Sequence, residues 1–330
     1  MSYNKNRKFS IGYSYKITPI EYIKLINPYR KHIHSIYVGL PELETPIVSV
    51  AKQSEVSFNG YVSKEFLKLT NGLYKRIIPY NVVRYKQSDN ELFKYFDEVI
   101  YPLIEEYNID GFILTHFDLA RRIKRDFPKI EIHTSCNSFH FTISTMEQWR
   151  HAVGVTLFNP PREAARTPSL LKELYNEGFK LKVLVNEGGM YGCSYKYTGH
   201  CGNCMKYDMT NALRSNLFLP RWLDYIDEYV DVFKLSGRME TRETLRKIYD
   251  SYILQKPFEY INDIVVCKNR TNPIRVLERE HNIRIKECDI SDNLATCENR
   301  NCFKGCSICE TLFDYITNNN IHIKTKYDII

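Results

Sequence analysis

The feature that most limits what this chain can fold into is a recurring pair: a short apolar run followed by an amphipathic stretch. Ile109–His116 reads IDGFILTH; DLARRIKRDF follows, then a stop at Pro128, then KIEIHTS. The apolar runs are continuous instead of alternating, as expected for strands covered on both faces, and such strands pair in parallel with helices crossing between them. Asp118 stands where it can cap the helix. The same pair is read from FSIGYSY (Phe9–Tyr15), HIHSIYVGLP (His32–Pro41), KRIIPYNVV (Lys75–Val83), VGVTLFNP, KLKVLVNEGG and VDVFKLSG, with helices expected in ITPIEYIKLI, TMEQWRHAV, SLLKELYNEGF, PRWLDYIDEYV and RETLRKIYDSYILQ. Within ELFKYFDEVIYPLIEEY, Leu92, Phe96, Val99, Leu103 and Ile104 fall on one helical stripe.

Seven or eight such units precede Leu254. The count predicts an α/β fold, a TIM-like (β/α)8 barrel with room for distortion, over residues 1–255. A doubly wound sheet is the alternative. From about Lys256 the repeat is lost, leaving 256–330 as a Cys-rich C-terminal extension.

The 330 residues are long enough for a large single core, and a content of 43% hydrophobic and 26% charged residues, without low-complexity tracts, argues against disorder. Net charge is +7, a mild excess that favours an anionic substrate or RNA, but Lys and Arg are scattered and form no blocks, which argues against a protein that only binds RNA. No apolar run approaches the ~18–20 residues of a membrane span, and MSYNKNRKFS lacks the apolar core of a secretory signal, so no membrane association and a cytoplasmic location are expected.

Ten cysteines are present, seven of them in two clusters. Cys193, Cys201 and Cys204 follow the apolar run KLKVLV, and Cys297, Cys302, Cys306 and Cys309 lie in the tail. Short spacings in a reducing compartment favour metal binding over disulfides, and soft thiolates select zinc, copper(I) or iron–sulfur clusters. Cys136, Cys267 and Cys288 stand apart and are expected to be small buried side chains.

Several segments in order resemble the collagenase-like U32 peptidase family. GFILTHFDLARRIKRDFPKIEIHTSC is similar to that family's strand–helix–strand ending in His-x-Ser, VGVTLFNPPREAARTPSLLKELY to its Arg-Glu strand end, and VDVFKLSGRMETRETLRKIYDSY to its Lys-x-x-Gly-Arg signature, here Lys234, Gly237 and Arg238. The resemblance spans about Gly111 to Tyr252 and implies a TIM-like barrel with a four-iron four-sulfur cluster near Cys193, used for oxygen-independent hydroxylation of an RNA base or small molecule, with an electron-donor protein as a further partner. The family's name implies peptidase activity as an alternative. The chain departs from the family in its lead-in, Asn186-Glu187-Gly188-Gly189, and in having seven residues between Cys193 and Cys201.

Cys193, Cys201 and Cys204 supply three thiolates, enough for a cubane with one open iron; zinc is the alternative metal. The tail cysteines allow a second cluster, a zinc knuckle or a ligand folded back to the first site. Cys302-x3-Cys306-x2-Cys309 also matches radical SAM spacing, but outside that motif's usual place at the first strand. The candidate catalytic residues are His133, Arg162, Glu163 and Glu187, all near strand ends; Lys234 and Arg238 are candidates for holding a cofactor or anion. Arg162 can fork onto a carboxylate, and Glu187 can act as general base if burial raises its pKa. Tyr191, Tyr195 and Tyr197 can stack a flat substrate or wall off a cluster. There is no His-Glu-x-x-His motif and no nucleophile elbow, which weakens the peptidase reading. A zinc-binding RNA-interaction protein is the non-catalytic alternative.

Overall fold

The computed structural model describes residues 6–40, 60–80, 88–138, 142–190, 209–266, 273–295, 297 and 307–324. Seven strands, β1 (Phe9–Gly12), β2 (Ile33–Tyr37), β3 (Arg76–Tyr80), β4 (Gly111–Leu114), β5 (Glu131–Thr134), β6 (Lys182–Leu184) and β7 (Val232–Leu235), form one parallel sheet in the order β5-β4-β3-β2-β1-β7-β6. The two edges, β5 and β6, are joined by Leu157 and Phe158. Leu157 bridges His133 and Phe158 bridges Leu181, both in parallel. Thr134 N–H donates to Leu157 O at 3.1 Å, and Lys182 N–H to Phe158 O at 2.7 Å. This two-residue segment takes the remaining position between β5 and β6, and the sheet curls into a TIM-like barrel in chain order.

The sequence expects a full strand in VGVTLFNP, but only Leu157 and Phe158 pair. Pro160 and Pro161 follow at once and have no N–H to give to a ladder.

Helices α1 (Pro19–Ile26), α2 (Gly60–Leu69), α3 (Asp89–Tyr95), α4 (Tyr101–Tyr107), α5 (Phe117–Asp126), α6 (Ile143–Val153), α7 (Pro168–Asn176) and α8 (Arg242–Ile253) cover the outside. Local chemistry sets their starts. Thr18 with Glu21 and Ser88 with Glu91 form capping boxes on α1 and α3, and Thr142 and Thr241 cap α6 and α8. The cap of α5 is His116, whose Nδ1 accepts from Leu119 N–H at 3.2 Å, and not Asp118, which sits in the first turn and pairs with Arg121. Between α3 and α4 the helix widens into a π turn, Phe96–Ile100, just before Pro102. Of the stripe that the periodicity predicts, Leu92, Phe96, Leu103 and Ile104 are buried, and Val99, in the π turn, is half-buried.

PRWLDYIDEYV is not the amphipathic α-helix that its pattern predicts. It folds as two 3₁₀ turns, Pro220–Tyr225 and Asp227–Tyr229. Tertiary contacts override propensity here: the Trp222 indole N–H donates to Asp292 at 2.7 Å, and Arg221 reaches Asp292, Glu287 and Ile290 O.

The chain after 255 packs directly on the barrel. Ile261, Ile264, Val265, Leu277 and Ile285 belong to the same apolar core as β1 and β6, and α9 (Pro273–His281) and α10 (Ile308–Lys324) follow. Val266 bridges Glu187, and its N–H donates to Asn186 O at 2.9 Å, so this segment touches the C-terminal end of β6. Among the described residues, no helix is long and apolar enough to cross a membrane.

Candidate active site

Because all the strands are parallel, their C-terminal ends share one face, and the loops there converge on a common mouth. β2 brings Tyr37 to it, the chain beyond β5 brings Ser135, Cys136 and Asn137, the segment after Phe158 brings Arg162, the extension of β6 brings Asn186 and Glu187, and β7 with its loop brings Lys234 and Arg238. Arg162 pairs with Glu187 through charge-assisted hydrogen bonding, both side chains being four-fifths or more buried, and its second terminal nitrogen lies 3.5 Å from Asn137 Oδ1. Arg162 and Glu187, two residues proposed from sequence, are therefore in contact. Glu163 follows Arg162 in the same 3₁₀ turn and is half-buried.

Lys234 and Arg238 meet on one ring. Lys234 Nζ lies 4.9 Å from the Tyr37 ring centroid and the Arg238 guanidinium carbon 5.9 Å from it, while the Tyr37 hydroxyl donates to Leu235 O at 2.7 Å. The ring is thus fixed at its far end and presents its face to two cations. Gly12 makes this possible: a Cβ there would stand 2.7 Å from the Tyr37 ring and 2.8 Å from Arg238 Cγ. Burial is the main reason the Lys234 ammonium titrates below the ordinary lysine value; Arg238 and Arg162 add to that, while Cys136 and Glu187 oppose it.

Below the mouth runs a chain of polar side chains inside the barrel. Lys182 Nζ is 2.8 Å from His133 Nδ1, His133 Nε2 is 3.2 Å from Glu131, and Glu131 is 2.6 Å from Lys75 Nζ. A carboxylate can only accept, so Nε2 carries the His133 proton and Nδ1 accepts from Lys182. Burial and the Lys182 charge push His133 down to about 3, and the His133 hydrogen bond with the Lys75 pair pulls Glu131 down to about 2. Lys182, fully buried and near Lys234, is held well below its usual value. His133 thus lies within the barrel with both ring nitrogens engaged.

Sequence reasoning missed Lys182, Tyr37 and Cys136. A signal existed for the first: Lys182 interrupts the apolar run KLKVLV, and a charged residue inside such a strand faces the axis. Cys136 is buried, as expected, but lies at the mouth, its Sγ 3.9 Å from Asn137 Oδ1. Cys288 is exposed, contrary to its expected burial, because it sits in a surface 3₁₀ turn, Glu287–Asp289.

Cys193, Cys201, Cys204, Cys267, Cys302 and Cys306 lie outside the described residues, as do Tyr191, Tyr195 and Tyr197. The flanks of the first cluster are described and meet: Met190 bridges Ser215 in antiparallel sense, and Asn216 N–H donates to Gly189 O at 2.7 Å. Gly189–Met190 and Ser215–Asn216 are therefore paired just beyond β6. In the tail, Cys297 is half-buried and Cys309 is buried on α10, whose Glu310 pairs with Arg214 at 2.9 Å. Among the described residues, no three His, Cys, Asp or Glu side chains are grouped to hold a metal. Three thiolates within twelve residues, Cys193 to Cys204, fit an iron–sulfur cluster by their chemistry.

No protein-family model and no curated protein matches the chain. Among solved structures, the U32 peptidase Mk0906 aligns with a TM-score of 0.50 at 9% identity, covering 73% of this chain and 96% of its own. A glycerophosphodiester phosphodiesterase from Parabacteroides distasonis aligns with a TM-score of 0.41 at 11% identity, over 70% of this chain and 94% of its own. What the first of these likenesses establishes is the architecture alone: this chain has a U32-like α/β barrel fold.

Proposed function

We propose that the chain is an enzyme that takes an anionic small molecule or an RNA base at the C-terminal mouth of its barrel. Its reaction is oxygen-independent hydroxylation or a related modification supported by a four-iron four-sulfur cluster on Cys193, Cys201 and Cys204. The observation that carries the site is the gathering of Lys234, Arg238 and Arg162 at the strand ends, with Glu187 the carboxylate paired there. The permanent charges of Arg162 and Arg238 outnumber the carboxylate paired with them, Glu187, and this favours an anionic occupant. The barrel likeness to a U32 protein is consistent with an enzyme of that general type.

In this reading Arg162 and Arg238 hold and orient the anionic group of the substrate, Glu187 fixes Arg162, and the buried Tyr37 ring keeps Lys234 and Arg238 in place. The Glu131–His133–Lys182 chain runs from a half-buried carboxylate to a fully buried amine and keeps the interior polar. When bound, the cluster would supply single electrons and an open iron for substrate oxygen. Cys297, Cys302, Cys306 and Cys309 are the candidates for a second cluster or for completing the first.

Anaerobic purification with iron, sulfide and zinc analysis and a visible spectrum tests the cofactor. About four irons per chain support one cluster and about eight support two. A colourless protein with stoichiometric zinc sinks the cluster reading and leaves the zinc alternative. The peptidase alternative predicts gelatin cleavage that disappears in Cys193→Ala; activity that persists in that variant marks a contaminant or a thiol-independent site.

A further inference from the structure

Lys234 stands out because its position is poor for a simple charge clamp. It lies on β7 between Phe233 and Leu235, both turned to the apolar core, while its own side chain turns to the barrel axis with only 8% exposure. Among the described residues its amine finds no hydrogen-bond acceptor; it rests against the Tyr37 face, with Arg238 on the same ring. A guanidinium would serve better as a permanent anion holder, since it stays charged and forks onto a carboxylate. Two arginines already do that here. A buried amine beside other cations is a residue that gives up its proton readily, and an unprotonated amine is a nucleophile.

We propose that Lys234 is a carbonyl-capturing residue that forms an imine with a 2-oxo acid whose carboxylate is held by Arg238 or Arg162. The Lys234 nitrogen lone pair attacks the carbonyl carbon and the C=O π pair moves to oxygen. The amine gives up two protons, and the oxygen leaves as water when C=N forms. Amine plus carbonyl yields imine plus water, with no oxidant or reductant required. Burial and Arg238 weaken the amine's hold on its proton, and the carboxylate selects 2-oxo acids over simple ketones. This inference rests on the barrel mouth being the substrate site, but not on any cluster.

The test uses the full chain with pyruvate and sodium cyanoborohydride near neutral pH, where the hydride traps an imine as a stable secondary amine. Intact mass and peptide mapping are expected to show one carboxyethyl group, on Lys234, lost in Lys234→Arg and in Lys234→Met. Acetone, which lacks the carboxylate, is expected to label about tenfold less, one charge-assisted hydrogen bond being worth roughly that factor. Labelling that is spread over exposed lysines with Lys234 untouched overturns the proposal. A parallel pyruvate titration by calorimetry separates the two readings: binding without a Lys234 adduct overturns this inference alone, and no binding overturns it together with the anionic site.

Discussion

His133 and His34 show how single residues tie this protein's stability to acidity. Burial holds His133 down to about 3 and His34 to about 4, each from an ordinary 6.5. Below about pH 6.5 the unfolded chain takes up protons that the folded chain refuses, so stability is complete above that value and falls as pH drops toward 4. With both groups contributing, the slope approaches two protons, about 2.7 kcal/mol per pH unit. Urea unfolding at intervals between pH 7 and 4 checks this, and His34→Gln should flatten the curve by roughly half; a level profile in the wild type would refute the assignment. Gly12 makes a second point at the same scale. Gly12→Ala drives a methyl into the Tyr37 ring and the Arg238 stem at 2.7 and 2.8 Å. The expected cost is about 1–3 kcal/mol of stability, read by urea unfolding, together with weaker anion binding, because the two side chains displaced are those that shape the mouth.

At the scale of elements, most of the barrel was legible because continuous apolar runs and amphipathic stretches alternate regularly, and that pattern admits few folds. The strands of FSIGYSY, IDGFILTH and VDVFKLSG lie where the runs do, only shorter. What was not legible depended on distant partners. PRWLDYIDEYV has a helical pattern, yet Asp292, seventy residues on from Trp222, accepts a hydrogen bond from its indole N–H and holds the segment in 3₁₀ turns. Of the candidate site, the Arg162–Glu187 contact and the meeting of Lys234 with Arg238 could be approached through strand-end position, whereas the Tyr37 face needed the register of β1, β2 and β7. The least legible element is also a test of closure. Phe158 is buried against Phe179 at 5.1 Å between centroids, and its backbone bonds both to Lys180 and to Lys182. Phe158→Ala is expected to cost about 3–5 kcal/mol, well beyond the usual effect of one residue in a loop. A midpoint in urea unchanged from wild type would mean that the edge strands do not depend on this segment.

For the whole molecule, the decisive question is whether 256–330, which the loss of the repeat at Lys256 marks as a C-terminal extension, is needed by the barrel of 1–255. Three features tie the later chain to the barrel. Ile261, Ile264, Val265, Leu277 and Ile285 share its apolar core, Val266 pairs with the extension of β6 beside Glu187, and Arg166 bonds across the junction. Arg166 is 4% exposed; it donates to Leu294 O at 2.6 Å and to Ser215 O at 2.6 Å, so one guanidinium joins the 3₁₀ turn after Arg162, the chain following the first thiol cluster and the post-barrel segment. Ending the chain at 255 would uncover those apolar side chains and strip Arg166 of the Leu294 acceptor, leaving buried donors that cost about 1–3 kcal/mol or more. The expected product keeps far-UV circular dichroism but loses near-UV signal and binds a hydrophobic dye, the behaviour of a compact chain without fixed packing. Arg166→Met in the full chain isolates the polar contribution and should lower the urea midpoint without changing that dye response. If residues 1–255 instead unfold cooperatively at the midpoint of the full chain, the segment from 256 is an appendage; if not, it is part of the structure that holds Glu187 and Arg162 at the mouth.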